Sequence, residues 1–159
     1  MKRSTKTTLT AGTSAILLGL TSLINGLQAS KRESCVLKVD YAHISTYAYE
    51  ADGVKKLKIK AKTECNRPQK YSTVTMRFYE VTIVRKKEVW VSESIIESAD
   101  KKRPENAYFE SFEKACNNSE RHNYLGKATG KVRMKSGKLI KVSGKSEKYI
   151  SLPCGFVAQ

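Results

Sequence analysis

The sequence predicts an all-β protein behind an N-terminal signal peptide: an antiparallel β-sandwich of about seven short strands that is immunoglobulin-like in the broad sense, with a small barrel as the alternative. Three observations lead there. After residue 35, apolar side chains recur at every second position in run after run, with turn residues between the runs. Four cysteines all lie beyond the leader, and their even number suits an exported chain fastened by disulfides. The 159 residues are 40% hydrophobic and 28% charged, enough apolar material for one core and far too much for intrinsic disorder. Nine glycines and three prolines exclude collagen-like and proline-rich chains. Only one long apolar stretch exists, which excludes a multi-span membrane protein.

That stretch opens the chain. Lys2, Arg3 and Lys6 precede an uncharged run from Thr7 to Ser30 centred on Ala15-Ile16-Leu17-Leu18-Gly19-Leu20. A positive start, a short apolar centre and small residues at its end read as a secretory signal peptide over 1–29, cleaved after Ala29. An uncleaved anchor that tethers the domain to a membrane is the alternative, because the uncharged run is just long enough to span. Cleavage removes three basic residues and takes the net charge from +15 to +12, leaving 30–159 as a single domain.

The first strand faces Cys35, Leu37, Val39 and Tyr41 one way. The second sets Leu57, Ile59, Ala61, Thr63 and Cys65 inward and Lys56, Lys58, Lys60 and Lys62 outward. A turn at Asp52-Gly53 joins the two strands, and their imperfect register about it implies a bulge or a longer loop. Asn66-Arg67-Pro68 is a turn signal. Val74, Met76 and Phe78 share a face. Tyr79, Val81 and Ile83 then continue on the opposite phase, which implies a bulge near Tyr79-Glu80 or a strand that leaves one sheet for another. Arg85-Lys86-Lys87-Glu88 reads as a polar hairpin tip, and Val89 to Ile96 returns. Asp100 to Glu120 breaks the pattern: Pro104 suits a helix start, and Tyr108, Phe109, Phe112 and Cys116 recur at helical spacing, so a short helix or an irregular crossover is expected there. Tyr124, Gly126, Ala128, Gly130, Val132 and Met134 alternate with Lys127, Lys131, Arg133 and Lys135, and the inward glycines leave room for Trp90 or Tyr124. Ser136-Gly137 makes a hairpin, and Leu139–Val142 and Tyr149–Leu152 close the chain.

Cys35, Cys65, Cys116 and Cys154 show no C-x-x-C spacing of the kind a zinc site would use, so two disulfides are expected and no metal. Strand phase favours Cys35–Cys65, which leaves Cys116–Cys154.

Catalytic motifs are few. There is no G-x-S-x-G and no H-E-x-x-H. Gly144-Lys145-Ser146 resembles the tail of a phosphate loop but has Leu139 where the leading glycine belongs. His43 and His122 with a lysine could cleave RNA by acid–base chemistry, and Asn66-Arg67-Pro68-Gln69 or the polar segment Asn117–His122 could serve as an inhibitor loop. A small secreted ribonuclease-like hydrolase and a protease inhibitor are therefore the alternative functions. The lysines carry the leading reading. Lys56, Lys58, Lys60 and Lys62 with Lys127, Lys131, Arg133 and Lys135 form a continuous cationic face if their strands share a sheet. Such a face attracts an anionic envelope polymer, a membrane surface or an acidic protein through a salt-sensitive term. Nucleic acid is not expected outside the cell. In leader, size and cysteines the chain resembles small exported bacterial proteins, with no family motif to quote. The expectation is a non-enzymatic exported binding module without cofactor.

Overall fold

The computed structural model describes residues 32–156, so the expected signal peptide at 1–29 lies outside the described residues. From Glu33 onward the described residues make one compact unit, all-β and antiparallel, with ten strands among them where about seven are expected. They form two sheets.

In the first sheet β3 (Lys56–Cys65) is central. One of its edges carries β1 (Cys35–Val39) and the short β2 (His43–Ile44), and the other carries β7 (Asn106–Ala115). In the second sheet β8 (Asn118–Met134) lies beside β4 (Gln69–Val81). Beyond β8 come β9 (Leu139–Lys145) and β10 (Ile150–Gly155), and beyond β4 come β5 (Lys86–Val91) and β6 (Ile95–Ser98). The inward phases of both sheets meet in one core. Leu57, Ile59, Val74, Met76, Phe78, Phe109, Phe112, Val132 and Met134 are all fully buried in it. Tyr41, expected on the inward phase of β1, lies past the end of that strand and is exposed.

Asp52-Gly53 is not a hairpin turn. Ser45 caps a seven-residue helix, α1 (Thr46–Asp52), by accepting from the Ala48 amide, and Gly53 ends it at φ 67°, its N–H donating to the Tyr49 carbonyl. The residue that permits a positive φ in a turn ends a helix just as well, so the local signal alone does not distinguish the two.

The helix or crossover expected at Asp100–Glu120 is instead the strand β7 and the start of β8. Ile59 pairs with Phe112 and Ala61 with Phe109, so β7 holds one more residue than β3 across that interval. The bulge brings Phe109 and Phe112, three apart, onto the same buried face, where their rings stack at 5.9 Å. A bulged strand thus imitates helical spacing. Asn117–His122, expected as a loop, pairs with β10 from Asn118 onward. It reads as loop because an edge segment with little buried surface holds polar side chains on both phases.

The bulge expected near Tyr79 is present: Phe78 pairs with Trp90 and Tyr79 with Glu88, leaving Val89 over. Gly126 makes room for Ile59 and Val39 of the facing sheet, not for Trp90 or Tyr124, and a Cβ at Gly144 would run into the Leu37 carbonyl. Both disulfides form as expected. Cys35–Cys65 joins directly opposed residues of β1 and β3, with Cα atoms 4.0 Å apart. Cys116–Cys154 ties the end of β7 to β10, linking the two sheets. They point to an oxidising environment. Among the described residues, no helix is long and apolar enough to cross a membrane.

Candidate anion-binding face

The eight basic residues singled out by alternation do not share a sheet. Lys56, Lys58, Lys60 and Lys62 project from β3, whereas Lys127, Lys131 and Arg133 project from β8, with Lys135 just past its end. The condition for one continuous face is not met, and the two rows meet different neighbours.

Three of the four lysines of the β3 row are paired within the fold. Lys56 Nζ lies 3.5 Å from Glu113 and Lys60 Nζ lies 3.4 Å from Glu110, both carboxylates on β7. Lys62, together with Lys38 from β1, reaches Glu64. The hydrogen bond from Lys38, and then that from Lys62, holds the Glu64 carboxyl below its usual range, and the Glu64 bond in turn raises the Lys62 ammonium. Lys58 stands opposite Glu113 and lines a groove with Tyr47, Glu97, Tyr108 and Glu110. On this face carboxylates are interleaved with the lysines, and Lys58 alone of the row has no ion pair among the described residues.

The β8 row is compounded. The hairpin at Ser136-Gly137, with Gly137 at φ 92°, sets β9 in a register that places Lys141 directly opposite Lys131 and Lys145 directly opposite Lys127. On the other flank β4 brings Arg77 opposite Lys127 and Thr73 opposite Lys131. Side chains of directly opposed residues lie about 5 Å apart at Cβ, and like charges so placed destabilise a sheet. Among the described residues, no ion pair engages Lys127, Lys131, Lys141 or Lys145. The Glu88 carboxylate, which reaches this face, is taken by Arg77 at 3.5 Å and by the Tyr79 hydroxyl at 2.9 Å. Burial, and then this bond to Glu88, raises the Tyr79 phenol.

Between the strands lies an open groove of about 450 Å³, lined by Thr73, Thr75, Ser94, Thr129, Lys131 and Lys141, with Gly130 and Val142 at its floor. Thr75 and Ser94 hydroxyls hydrogen-bond at 2.8 Å, and Arg77 donates to the Thr129 hydroxyl at 3.2 Å. Hydroxyl donors flanked by two ammonium groups can hydrogen-bond an oxyanion while relieving the lysine repulsion. Tyr79, under Lys127 at 4.7 Å, and Tyr71, opposite Arg133, complete the face. Alternation along single strands misses Arg77, Lys141, Lys145 and the two tyrosines. The signal for Lys141 and Lys145 was the hairpin itself, since folding the chain about Ser136-Gly137 brings Leu139 opposite Arg133.

The histidines fall on different sheets. His43 Nδ1 lies 3.3 Å from the Tyr41 carbonyl oxygen, and His122 stands between Glu80 at 2.8 Å and Glu120 at 3.5 Å. Neither lines either groove. Gly144 and Lys145 close β9, and just past its end the Ser146 hydroxyl accepts from the Gly126 amide. Of the suggested inhibitor loop, Gln69 is fully buried, its amide donating to the Glu105 carbonyl at 2.8 Å and its oxygen accepting from Thr63 and Ser72. Among the described residues, no cluster of acidic, histidine or cysteine side chains could hold a metal ion. Comparison of the chain with family models, with curated proteins and with solved structures finds no match.

Proposed function

We propose that the chain is an exported, non-enzymatic binding module, delivered by a cleaved signal peptide and folded as an immunoglobulin-like β-sandwich in the broad sense, whose β8–β9–β4 face binds an anionic envelope polymer. The observation that carries this reading is the paired register of Lys131 with Lys141 and Lys127 with Lys145, with no carboxylate to compensate them. A fold gains nothing from stacking like charges. A polymer carrying repeated oxyanions gains from each of them and releases counterions as it binds. The four hydroxyls beside Lys131 and Lys141 give each oxyanion directional donors. The β3 row serves fold and solubility, the charge of Lys56, Lys60 and Lys62 being already engaged by Glu113, Glu110 and Glu64.

The test uses linear polyphosphate as the probe, titrated into the disulfide-intact domain at rising salt. Affinity is expected to fall steeply between roughly 50 and 500 mM salt. Affinity that does not change over that range removes the polyanion reading.

A further inference from the structure

The β4–β5 hairpin ends in a turn whose chemistry runs against its conformation. The Thr82 amide donates to the Arg85 carbonyl at 2.9 Å, and the Thr82 hydroxyl both donates to that carbonyl and accepts from the Arg85 amide. The turn is therefore held tightly, and no residue in it takes a positive φ. Its two central residues are Ile83 and Val84, where Gly, Asn, Asp or Pro is the usual choice. Their relative exposures are 106% and 91%, the largest of the large hydrophobic side chains among the described residues. Single exposed aliphatics are ordinary on a protein surface. Two adjacent ones, lifted wholly clear of the fold at the tip of a long hairpin, gain nothing from the folded chain.

The residues that follow are Arg85, Lys86 and Lys87, all exposed. Among the described residues no carboxylate pairs with them. The two acidic residues nearest along the hairpin are occupied, Glu80 by His122 and Glu88 by Arg77 and Tyr79. A strand rises about 3.3 Å per residue, so the cations sit within about 10 Å behind the aliphatic tip. That is the depth of lipid headgroups when an apolar tip reaches the boundary of the acyl chains. An apolar wedge in a cationic collar matches the layered chemistry of an anionic bilayer, apolar beyond and negative at the rim.

We propose that the Thr82–Arg85 turn is a membrane-insertion tip: Ile83 and Val84 enter the interface of an anionic bilayer, and Arg85, Lys86 and Lys87 bind its headgroups. This surface is separate from the β8–β9 groove, so the domain can hold a bilayer and a polymer through different residues.

The experiment uses the disulfide-intact domain carrying Trp90→Phe, so that a Trp placed by Ile83→Trp is the sole reporter. It is mixed with vesicles of phosphatidylglycerol and phosphatidylcholine, and with vesicles of phosphatidylcholine alone. The Trp emission is expected to shift to the blue, and to be quenched by lipids brominated near the top of their acyl chains, on the anionic vesicles only. In the native background, Ile83→Ser with Val84→Ser should lower vesicle partitioning by about 10- to 100-fold without moving the melting temperature. Lys86→Glu with Lys87→Glu should lower it by at least about 10-fold and remove the preference for anionic lipid. The blue shift should persist in Lys131→Glu/Lys141→Glu, which separates this proposal from the polymer-binding reading. Vesicle binding without a blue shift, or unchanged partitioning of the double serine variant, overturns the insertion tip. Self-association of the native domain that the serine variant abolishes would also overturn it, assigning the tip to a second copy of the chain.

Discussion

Strands β3 and β8 both place a basic side chain at alternate positions, and the fold treats the two rows in opposite ways. Around β3 the neighbouring strands supply Glu110 and Glu113, and β3 supplies Glu64, so that Lys38, Lys56, Lys60 and Lys62 are held at 2.5–3.5 Å from carboxylate oxygens. Around β8 the neighbours supply Lys141, Lys145 and Arg77. Exposed ion pairs contribute little to stability, typically below about 1 kcal/mol each, but they determine what a surface offers a partner. Alternation shows which residues face water. Only cross-strand register shows whether their charge remains available.

The largest expected effect breaks the architecture that holds one row in place. Gly144 lies on β9 between Lys141 and Lys145, and a Cβ there would meet the Leu37 backbone of the other sheet, which cannot yield as a side chain would. Gly144→Ala should cost about 2–4 kcal/mol, read as a lowered midpoint in denaturant. Gly126→Ala faces the flexible end of Ile59 and should cost less.

Next in size is the contrast in binding. Lys131→Glu with Lys141→Glu should weaken polyphosphate binding by at least about 100-fold at low salt. The melting temperature should change little, since one directly opposed like-charge pair takes the place of another. The matching change on the other sheet, Lys58→Glu with Lys60→Glu, should leave affinity within about threefold. A reverse experiment sharpens the point. Glu64→Gln, Glu110→Gln and Glu113→Gln together free the β3 row, and the triple variant should gain polyphosphate affinity by about tenfold, measured by the same titration.

Much of this arrangement was legible before any coordinates. Alternation over Lys56–Lys62 and Tyr124–Met134 marks two strands and their inward faces, and phase favours pairing Cys35 with Cys65, the pairing that forms. The failures are also physical. The β7 bulge spaces Phe109 and Phe112 like a helix, Gly53 serves a helix end as readily as a turn, and the polar edge of β8 resembles a loop. The binding face was half visible. The Lys127–Arg133 row follows from period two, but its partners on β9 and β4 depend on register, a long-range property that a single strand does not encode.

A smaller effect follows from pH. Glu64 titrates below its usual range because of Lys38 and Lys62, so its contribution is present above about pH 4.5 and is lost as pH falls through its lowered value. Stability should decline by less than about 1 kcal/mol on that account, and Glu64→Gln should remove the decline. At the other extreme, burial and then the Glu80 charge raise the Tyr124 phenol above 10.0, so its contribution is full below pH 10 and is lost as pH rises beyond it. Polyphosphate binding should not follow the acid change, because no carboxylate pairs with the lysines of the β8–β9 face.

The most direct test of the central claim is to observe individual lysines as the polymer binds. Reductive methylation with ¹³C leaves each ammonium charged and gives each lysine its own NMR signal, assigned by single Lys→Arg substitutions. On titration with polyphosphate, the signals of Lys127, Lys131, Lys141 and Lys145 should move together and saturate together, while those of Lys56, Lys60 and Lys62 stay in place. Equal shifts over both rows, or larger shifts on β3, would contradict the account.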